Sequence, residues 1–406
     1  MRKHMTRLPL IGSVVLILGL CNYAQAEPVA PGALTSENFF DNQALHDVRL
    51  FINSRDLAEL RSRYNEDLYV AADFEWRGIR MRNVGVRVRG LATRSPIKPG
   101  LRVDFNRYVA GQTFLGMAAV VLDNALKDPS LIRERVSMAF IKRMGQPAPR
   151  ESFGRVFING EYEGLYALVE PVDSIFLARE LGDGLGYLFE HKYINGFHGE
   201  FLGDDYEPYK LRFDAETHAL ESDYTLYAPI RELFREVNHD VDNVWRERVS
   251  WLLDLNQVIT HVAIETFLTE LDGFVGGAGM ANFFLHRPVG ASVHRLIAWD
   301  RDTTFQAATS PIFTRMEENA ILSRALQFRD LRGLYLDVLE QCARAATDDL
   351  WLETEIYQAH NLIRDAVYAD QTKLTSNEEF DLSLREMMAF ARQRPTFVLE
   401  EVAKAR

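Results

Sequence analysis

Cysteine is nearly absent from the chain: two residues in 406, Cys21 and Cys342. Cys21 falls inside an apolar N-terminal stretch, so once that stretch is removed no intramolecular disulfide is possible, and stability has to come from an apolar core. The composition, 47% hydrophobic, supplies one amply, and a chain of this length is expected to form two lobes. Past residue 20 no segment approaches membrane length without charges. Metal-binding spacing is missing as well. His191, His261, His286 and His294 are scattered, which sets zinc chemistry aside. There is no Gly-x-Ser-x-Gly elbow, and Cys342 falls in a helical pattern that reads as core. Carboxylate pairs for glycoside hydrolysis could be drawn from 58 acidic residues, but no spacing singles one out. Positive charge is in deficit, with 46 Lys and Arg giving a formal net charge of −12. That argues against nucleic acid or anionic lipid as the main partner.

The N-terminus carries what the remainder lacks. Arg2, Lys3 and Arg7 precede an apolar run from Leu8 to Leu20, followed by Ala24-Gln25-Ala26. This is the arrangement of a secretory signal peptide over residues 1–26, and the run of about 13 residues is too short to span a bilayer. An uncleaved anchor and lipidation at Cys21 are the alternatives. The second is set back by Leu20, which stands where a small residue is wanted. Cleavage removes three positive charges and takes the net charge to −15. The expected protein is exported, periplasmic or extracellular, with no stable membrane insertion once the leader is gone.

Residues 27–45 read as a linker broken by Pro28, Pro31 and Gly32. From His46 to Phe105 alternation predicts strands, with a short helix from Ser54 to Tyr64. Ser130 to Met144 predicts a helix, with Asp128 as a cap and Gly145 as its stop. Gly154–Ile158, the turn Asn159-Gly160 and Gly164–Glu170 predict a hairpin. Asp204 to Asp223 reads as an insertion or linker. Trp251 to Leu271 predicts a long buried helix, and Ala281–His286 with Val293–Trp299 two short strands. Helical periodicity then runs from Asn319 to the end, with Leu331, Leu334, Tyr335, Val338 and Leu339 as a core stripe. The expected fold class is α+β, with a β-rich N-terminal lobe over 46–172 and a mainly helical C-terminal lobe over 173–406.

One ordered set of polar residues could carry chemistry. Asp272 opens the loop Gly273-Phe274-Val275-Gly276-Gly277-Ala278-Gly279, Asn282 begins the next strand, and Asp300 ends the strand after it in Trp299-Asp300-Arg301-Asp302. A base Asp, then a metal-binding Asn, then a second metal-binding Asp is the order used for phosphoryl transfer. The spacing is loose: Asn282 lies ten residues past Asp272, against about five in the usual kinase loop. An Asp272 that caps a turn, with Asp300 and Asp302 in a solvated loop, explains the same residues.

Four further pieces occur in order: Val88-Arg89-Gly90 with Lys98-Pro99 and Val103-Asp104-Phe105; Leu122-Asp123-Asn124 with Asp128-Pro129-Ser130 and Arg133; Phe157-Ile158-Asn159-Gly160-Glu161-Tyr162-Glu163-Gly164-Leu165-Tyr166 with Glu170; and Trp299-Asp300-Arg301-Asp302. Together they resemble the spore-coat protein H (CotH) kinase family, from about residue 45 to the helical tail with Asp370–Lys373 and Arg392–Arg394. The resemblance implies an atypical protein-kinase-like fold and ATP-dependent phosphorylation of a protein acceptor with Mg²⁺ or Mn²⁺. It implies Asp272 as the catalytic residue, Asn282 and Asp300 as metal ligands, and Asp302 as an assistant to the metal or a structural residue of its loop. For the nucleotide it implies Lys98 on a phosphate, with Arg89 and Arg102 as rivals, Glu134 paired to that cation, and Glu170 near an adenine site. Arg133 matches the family pattern better than Glu134 does. Leu91–Ile97 departs from ordinary kinases in holding no glycine, and Ile97 stands where a second basic residue is expected. A non-catalytic, pseudokinase-like binding or assembly protein is the alternative. Transfer of AMP, or modification of a non-protein acceptor, is a third expectation.

Overall fold

A computed structural model describes residues 34–240 and 244–406. The expected signal peptide and the first part of the expected linker, residues 27–33, lie outside the described residues. The period-two segments close into a seven-stranded barrel: β1 (Leu45–Ile52), β2 (Val70–Trp76), β3 (Ile79–Val88), β4 (Leu101–Asp104), β5 (Ala119–Asp123), β6 (Glu151–Ile158) and β7 (Glu161–Val169). Their spatial order is β1-β2-β3-β4-β5-β7-β6. Closure is made by β6 running parallel to β1, with Leu45 opposite Phe153 and Leu50 opposite Ile158. Alternate residues point inward, so Val48, Leu50, Phe74, Trp76, Val86, Val103, Leu122 and Val156 form the barrel interior.

The loop expected up to residue 45 gives way at Ser36 to a one-turn helix, Ser36–Phe39. It carries Phe39 against Trp76 and Phe114, with ring centroids 5.4 Å away in each case. Phe39 is fully buried, and burial of such a ring is worth about 1.5–3 kcal/mol. The breakers Pro28, Pro31 and Gly32 all precede this segment, which itself contains neither proline nor glycine. The hairpin turn conforms to its residues. Asn159 and Gly160 have φ of +53° and +94°, as a type I′ turn needs. The Asn159 side chain also accepts from the Ile52 amide at 2.9 Å and donates to the Ile52 carbonyl at 2.8 Å, tying the turn to β1.

A second sheet, in the order β11-β10-β8-β9, joins β8 (Tyr187–His191), β9 (Phe213–Ala215), β10 (Phe283–Arg287) and β11 (Arg295–Ala298). The segment read as an insertion or linker, Asp204–Asp223, is a structured insertion. It holds the helix Glu207–Lys210 and supplies β9, which pairs with β8. A three-residue strand beside a one-turn helix is too short to leave a periodic signal. The long apolar segment from Trp251 to Leu271 resolves into the helix Leu255–Leu268, capped by the Asp254 carboxylate on the Gln257 amide at 3.1 Å and ended by Thr269 at φ +55°. Trp251 stays outside it and is 70% exposed. The cap, and not hydrophobicity, sets the helix start. Three long helices, Arg329–Thr347, Trp351–Ala369 and Asn377–Ala405, complete the chain. Leu331, Tyr335, Val338 and Leu339 are buried as their spacing requires, with Leu334 half-buried.

Residues Thr35–Arg406 make up one compact unit. Barrel interior and helical body form separate hydrophobic clusters within it. Among the described residues, no helix is long and apolar enough to cross a membrane.

Candidate active site

The helix Leu255–Leu268 stops at Thr269, and the next residues turn back on themselves. The Asp272 amide donates to Oε1 of Glu270 at 2.8 Å, and Thr303 donates to the same oxygen. The Phe274 amide donates to Glu265 at 2.9 Å. The fully buried Arg301 forms an ion pair with Glu265 and donates to the carbonyls of both Asn282 and Trp299 at 2.9 Å. One guanidinium thus braces the helix, the start of β10 and the end of β11. In the β10–β11 ladder Phe283 faces Ala298, so Asn282 stands opposite Trp299 and Asp300 is the next residue out. Asn282 Nδ2 donates to the Asp272 carbonyl at 2.8 Å, which leaves Oδ1 without a hydrogen bond among the described residues. Asn282 and Asp300 have φ of +57° and +51°. A left-handed Asp or Asn costs on the order of 1–3 kcal/mol and persists where the surroundings over-determine it, most often at functional sites.

Asp272, Asn282 and Asp300 are therefore brought to one place, and their electrostatics bear its mark. Burial, followed by the charges of Asp123 and Asp272, raises the Asp300 carboxyl to about 6, against the pull of Arg89 and Lys127. Burial and then Asp300 raise Asp302 to about 8. Burial raises Glu270 to about 7. Sequence reasoning missed some members of this acidic group and gave Glu134 a different role. Glu134, in the first turn of the helix Arg133–Arg143, is pushed well above the usual carboxylate range by burial and then by Glu151. Glu151, the first residue of β6, is raised by burial and then by Asp123, and neither of its oxygens has a hydrogen-bond partner. Asp123 lies in the quoted Leu122-Asp123-Asn124 piece, the one local signal available. Glu151 and Lys127 had none, because their nearness to Asp300 is created by the fold.

The expected nucleotide residues separate into two groups. Arg89 stays near the triad. It pairs with Asp123 at 2.7 Å and lies over the Trp299 ring at 5.6 Å. Arg102 sits further along the same sheet face, its Nε on Asp104 at 2.9 Å. Lys98 is 1% exposed, with its ammonium on Asp370 at 2.8 Å. The pairing expected between Lys98 and Glu134 is thus corrected: the partner comes from the helical tail, and Glu134 has no ion-pair partner among the described residues. Asp370 also accepts from the amides of Leu165, Thr372 and Lys373, a local cage that fixes it for Lys98. Glu170 is likewise closed off. It is buried and takes Arg150 at 2.7 Å and Arg179 at 2.6 Å, so its carboxylate braces the exit from β7 and does not face an adenine site. Arg394, in the expected tail motif, donates to the carbonyls of Thr266, Phe267, Ala308 and Ser310, capping the helix that leads to Asp272.

Among the described residues no group of three His, Cys, Asp or Glu is arranged to hold a metal ion. Mg²⁺ does not require one. It usually takes one or two carboxylates and completes its shell with substrate phosphates and water. The donors here are hard oxygens: Asp300, the free Oδ1 of Asn282 and Asp302. The uncompensated carboxylates around them fit a hard divalent cation better than they fit no cation. Two surface cavities lie away from the triad. One, of about 500 Å³, is lined by Tyr69, Arg102, Asp104 and Arg107, and the other, of about 390 Å³, by His46, Trp76 and Arg155.

The chain is similar over 363 residues to the inner spore coat protein H of Bacillus subtilis (strain 168), at 24% identity, covering 87% of this chain and 97% of that protein. An inner spore coat protein H-like protein of the same organism matches at 38% over 55 residues, 14% of this chain and 18% of that one. Among solved structures, the Helicobacter pylori proinflammatory kinase CtkA covers 75% of this chain and 93% of its own, with TM-score 0.31 and 8% identity. The HipA, HipB and operator DNA complex of Shewanella oneidensis MR-1 matches with TM-score 0.33 and 11% identity, covering 78% of this chain and 67% of that one. Likenesses at that level carry no weight here. The family model described as CotH kinase protein matches residues 86–398, most of the chain and all of the ordered pieces from Val88 to Asp302, and the chain belongs to the CotH kinase family.

Proposed function

We propose that this chain is an exported kinase that transfers the terminal phosphoryl group of ATP to a hydroxyl of a protein acceptor, with Mg²⁺ or Mn²⁺. The observation that carries the reading is the bond from Asn282 to the Asp272 carbonyl. It joins the base candidate to the strand pair that also ends in Asp300. In this reading Asp272 orients the acceptor hydroxyl and takes its proton. The hydroxyl oxygen forms the new bond to phosphorus, the bond from phosphorus to the bridging oxygen breaks, and ADP leaves. Asn282 Oδ1 and Asp300 hold the cation, with Asp302 beside them. When bound, the cation neutralises charge between the phosphates. Arg89 and Lys127 are the cations placed near Asp300 to meet phosphate oxygens. They take over the role expected of Lys98.

The test is a thermal-shift titration. A ligand at 100 times its Kd stabilises the native state by about 2.7 kcal/mol. ATP with Mg²⁺ is expected to raise the Tm of the wild type, while Asp300→Asn shows little or no shift. An Asp300→Asn protein that responds like the wild type sinks the assignment. The closure of Lys98 and Glu170 into ion pairs favours a second reading, a non-catalytic, pseudokinase-like binding or assembly protein. Mass spectrometry of acceptor proteins after incubation separates the two, and also separates a phosphate adduct from the heavier AMP adduct.

A further inference from the structure

The outer face of β3 and β4 carries a second polar feature that the kinase reading does not use. Arg87 and Arg102 are register partners across the two strands, and Gly85 is the partner of Asp104. Asp104 is fully engaged, accepting from the Tyr69 hydroxyl and from Arg102 Nε at 2.9 Å. Arg87 is engaged too, with Nε on the Tyr69 oxygen at 3.1 Å and a terminal nitrogen on Asp67 at 3.3 Å. Arg107 is not. Its guanidinium stacks on the Tyr69 ring at 4.2 Å and has no hydrogen-bond or ion-pair partner among the described residues. The two terminal nitrogens of Arg102 are likewise without a partner among the described residues. Both forks line a cavity of about 500 Å³ together with Asn106 and the Asp104 carboxylate, whose two oxygens are already taken by Tyr69 and Arg102.

The position of Arg107 is built into the sheet. A Cβ on Gly85 would lie 2.6 Å from Cβ and Cγ of Arg107 and 3.0 Å from the Tyr69 ring. The missing side chain lets the arginine stem cross the strand and lie flat, and the tyrosine then fixes the plane of the guanidinium. Two guanidinium forks with free donors at the edge of one cavity, in a chain of net charge −12, have the chemistry of an oxyanion site.

We propose that Tyr69, Arg102, Asn106 and Arg107 form a phosphate-binding subsite for a phosphorylated residue of the protein acceptor. The nucleotide is not its occupant. Gly85 in β3 precedes Arg89, the residue just past the strand's end at Val88, by four residues, or about 13 Å at roughly 3.3 Å per residue, and Arg89 is the residue that lies against Trp299 beside Asp300. An oxyanion on Arg107 is thus separate from a phosphate held at Asp300. The identity of that occupant rests on the kinase reading, which supplies the protein acceptor; the oxyanion chemistry of the pocket does not.

The full chain, without nucleotide, is titrated calorimetrically with a serine peptide and with the same peptide phosphorylated. Charge-assisted bonds to a bidentate fork are worth enough for about a tenfold difference, so the phosphorylated peptide is expected to bind the wild type about tenfold tighter. Inorganic phosphate at millimolar concentration should displace it. In Arg107→Gln the preference should fall close to one. Arg107→Lys, which keeps the charge and loses the fork, should retain only part of it. Arg107 is exposed, so neither change should disturb folding. Equal binding of the two peptides by the wild type, or an unchanged preference in Arg107→Gln, overturns the proposal. So does an Arg107→Gln protein whose thermal shift with ATP and Mg²⁺ is lost along with its peptide preference, because the pocket would then belong to the nucleotide. A wild type that shows no shift with ATP but keeps the peptide preference leaves the subsite standing and counts against the kinase reading alone.

Discussion

Glu151 holds both carboxylate oxygens out of water with no hydrogen-bond donor to meet them. A buried carboxylate in that position stays protonated well above its ordinary value of 4.5. The native state then keeps a proton that the unfolded chain has released, so stability contributed by this group is present below about 4.5 and is lost as pH rises through the folded value. The slope for one such group is at most about 1.4 kcal/mol per pH unit. Glu151→Gln replaces the proton-dependent group by a neutral amide of similar shape. Its expected effect is a flatter profile of stability against pH and a gain over the wild type at pH 8, measured by urea unfolding between pH 5 and pH 8. A variant profile parallel to that of the wild type would place the titrating group elsewhere in the cluster.

Among the elements, the β6–β7 hairpin shows how a local motif acquires a distant constraint. Gly164 lies at φ +136°, and a Cβ there would come within 2.5 Å of Asp370 Oδ2. Backbone conformation and close approach both require glycine at this position. Gly164→Ala therefore strains the strand and displaces the carboxylate that anchors Lys98. A loss of stability on the order of 2 kcal/mol or more is expected, read as a lower midpoint in denaturant. Gly160→Ala, in the turn, meets nothing within 4 Å and should lose less. The comparison separates backbone conformation from collision.

For the whole molecule, the Lys98–Asp370 pair links the loop between β3 and β4 to the end of the helix Trp351–Ala369 across 272 positions of sequence. Both side chains are almost fully buried, at 1% and 0% exposure. Removing one partner leaves a buried charge uncompensated, a loss of about 3–5 kcal/mol. Lys98→Met is expected to lose that much in equilibrium unfolding. A loss below 1 kcal/mol would mean that the ammonium is not a structural tie and would return it to consideration as a phosphate ligand. The Arg135–Glu355 pair makes a second tie between the Arg133–Arg143 helix and the same tail helix. The helical tail thereby holds both the loop between β3 and β4 and the Arg133–Arg143 helix.

Much of this was legible from residues alone. Period-two alternation named β1, β3 and β4, Asn159-Gly160 named the hairpin turn, and the order Asp272, Asn282, Asp300 pointed to one place before any coordinates. These signals are local, because strand period, turn conformation and position at a strand end depend on a few neighbours. What depends on distant neighbours was not legible. The partner of Lys98, the orphaned Glu151 and the free fork of Arg107 arise where separate segments meet, and the closure of Glu170 by Arg150 and Arg179 needs the entry to β6 and a helix brought to the end of β7. Chain order therefore determined the elements and the candidate triad of this protein. Only tertiary structure decided which charges are satisfied inside it and which remain free to meet a ligand, because burial and pairing are properties of the assembled interior and not of any one segment.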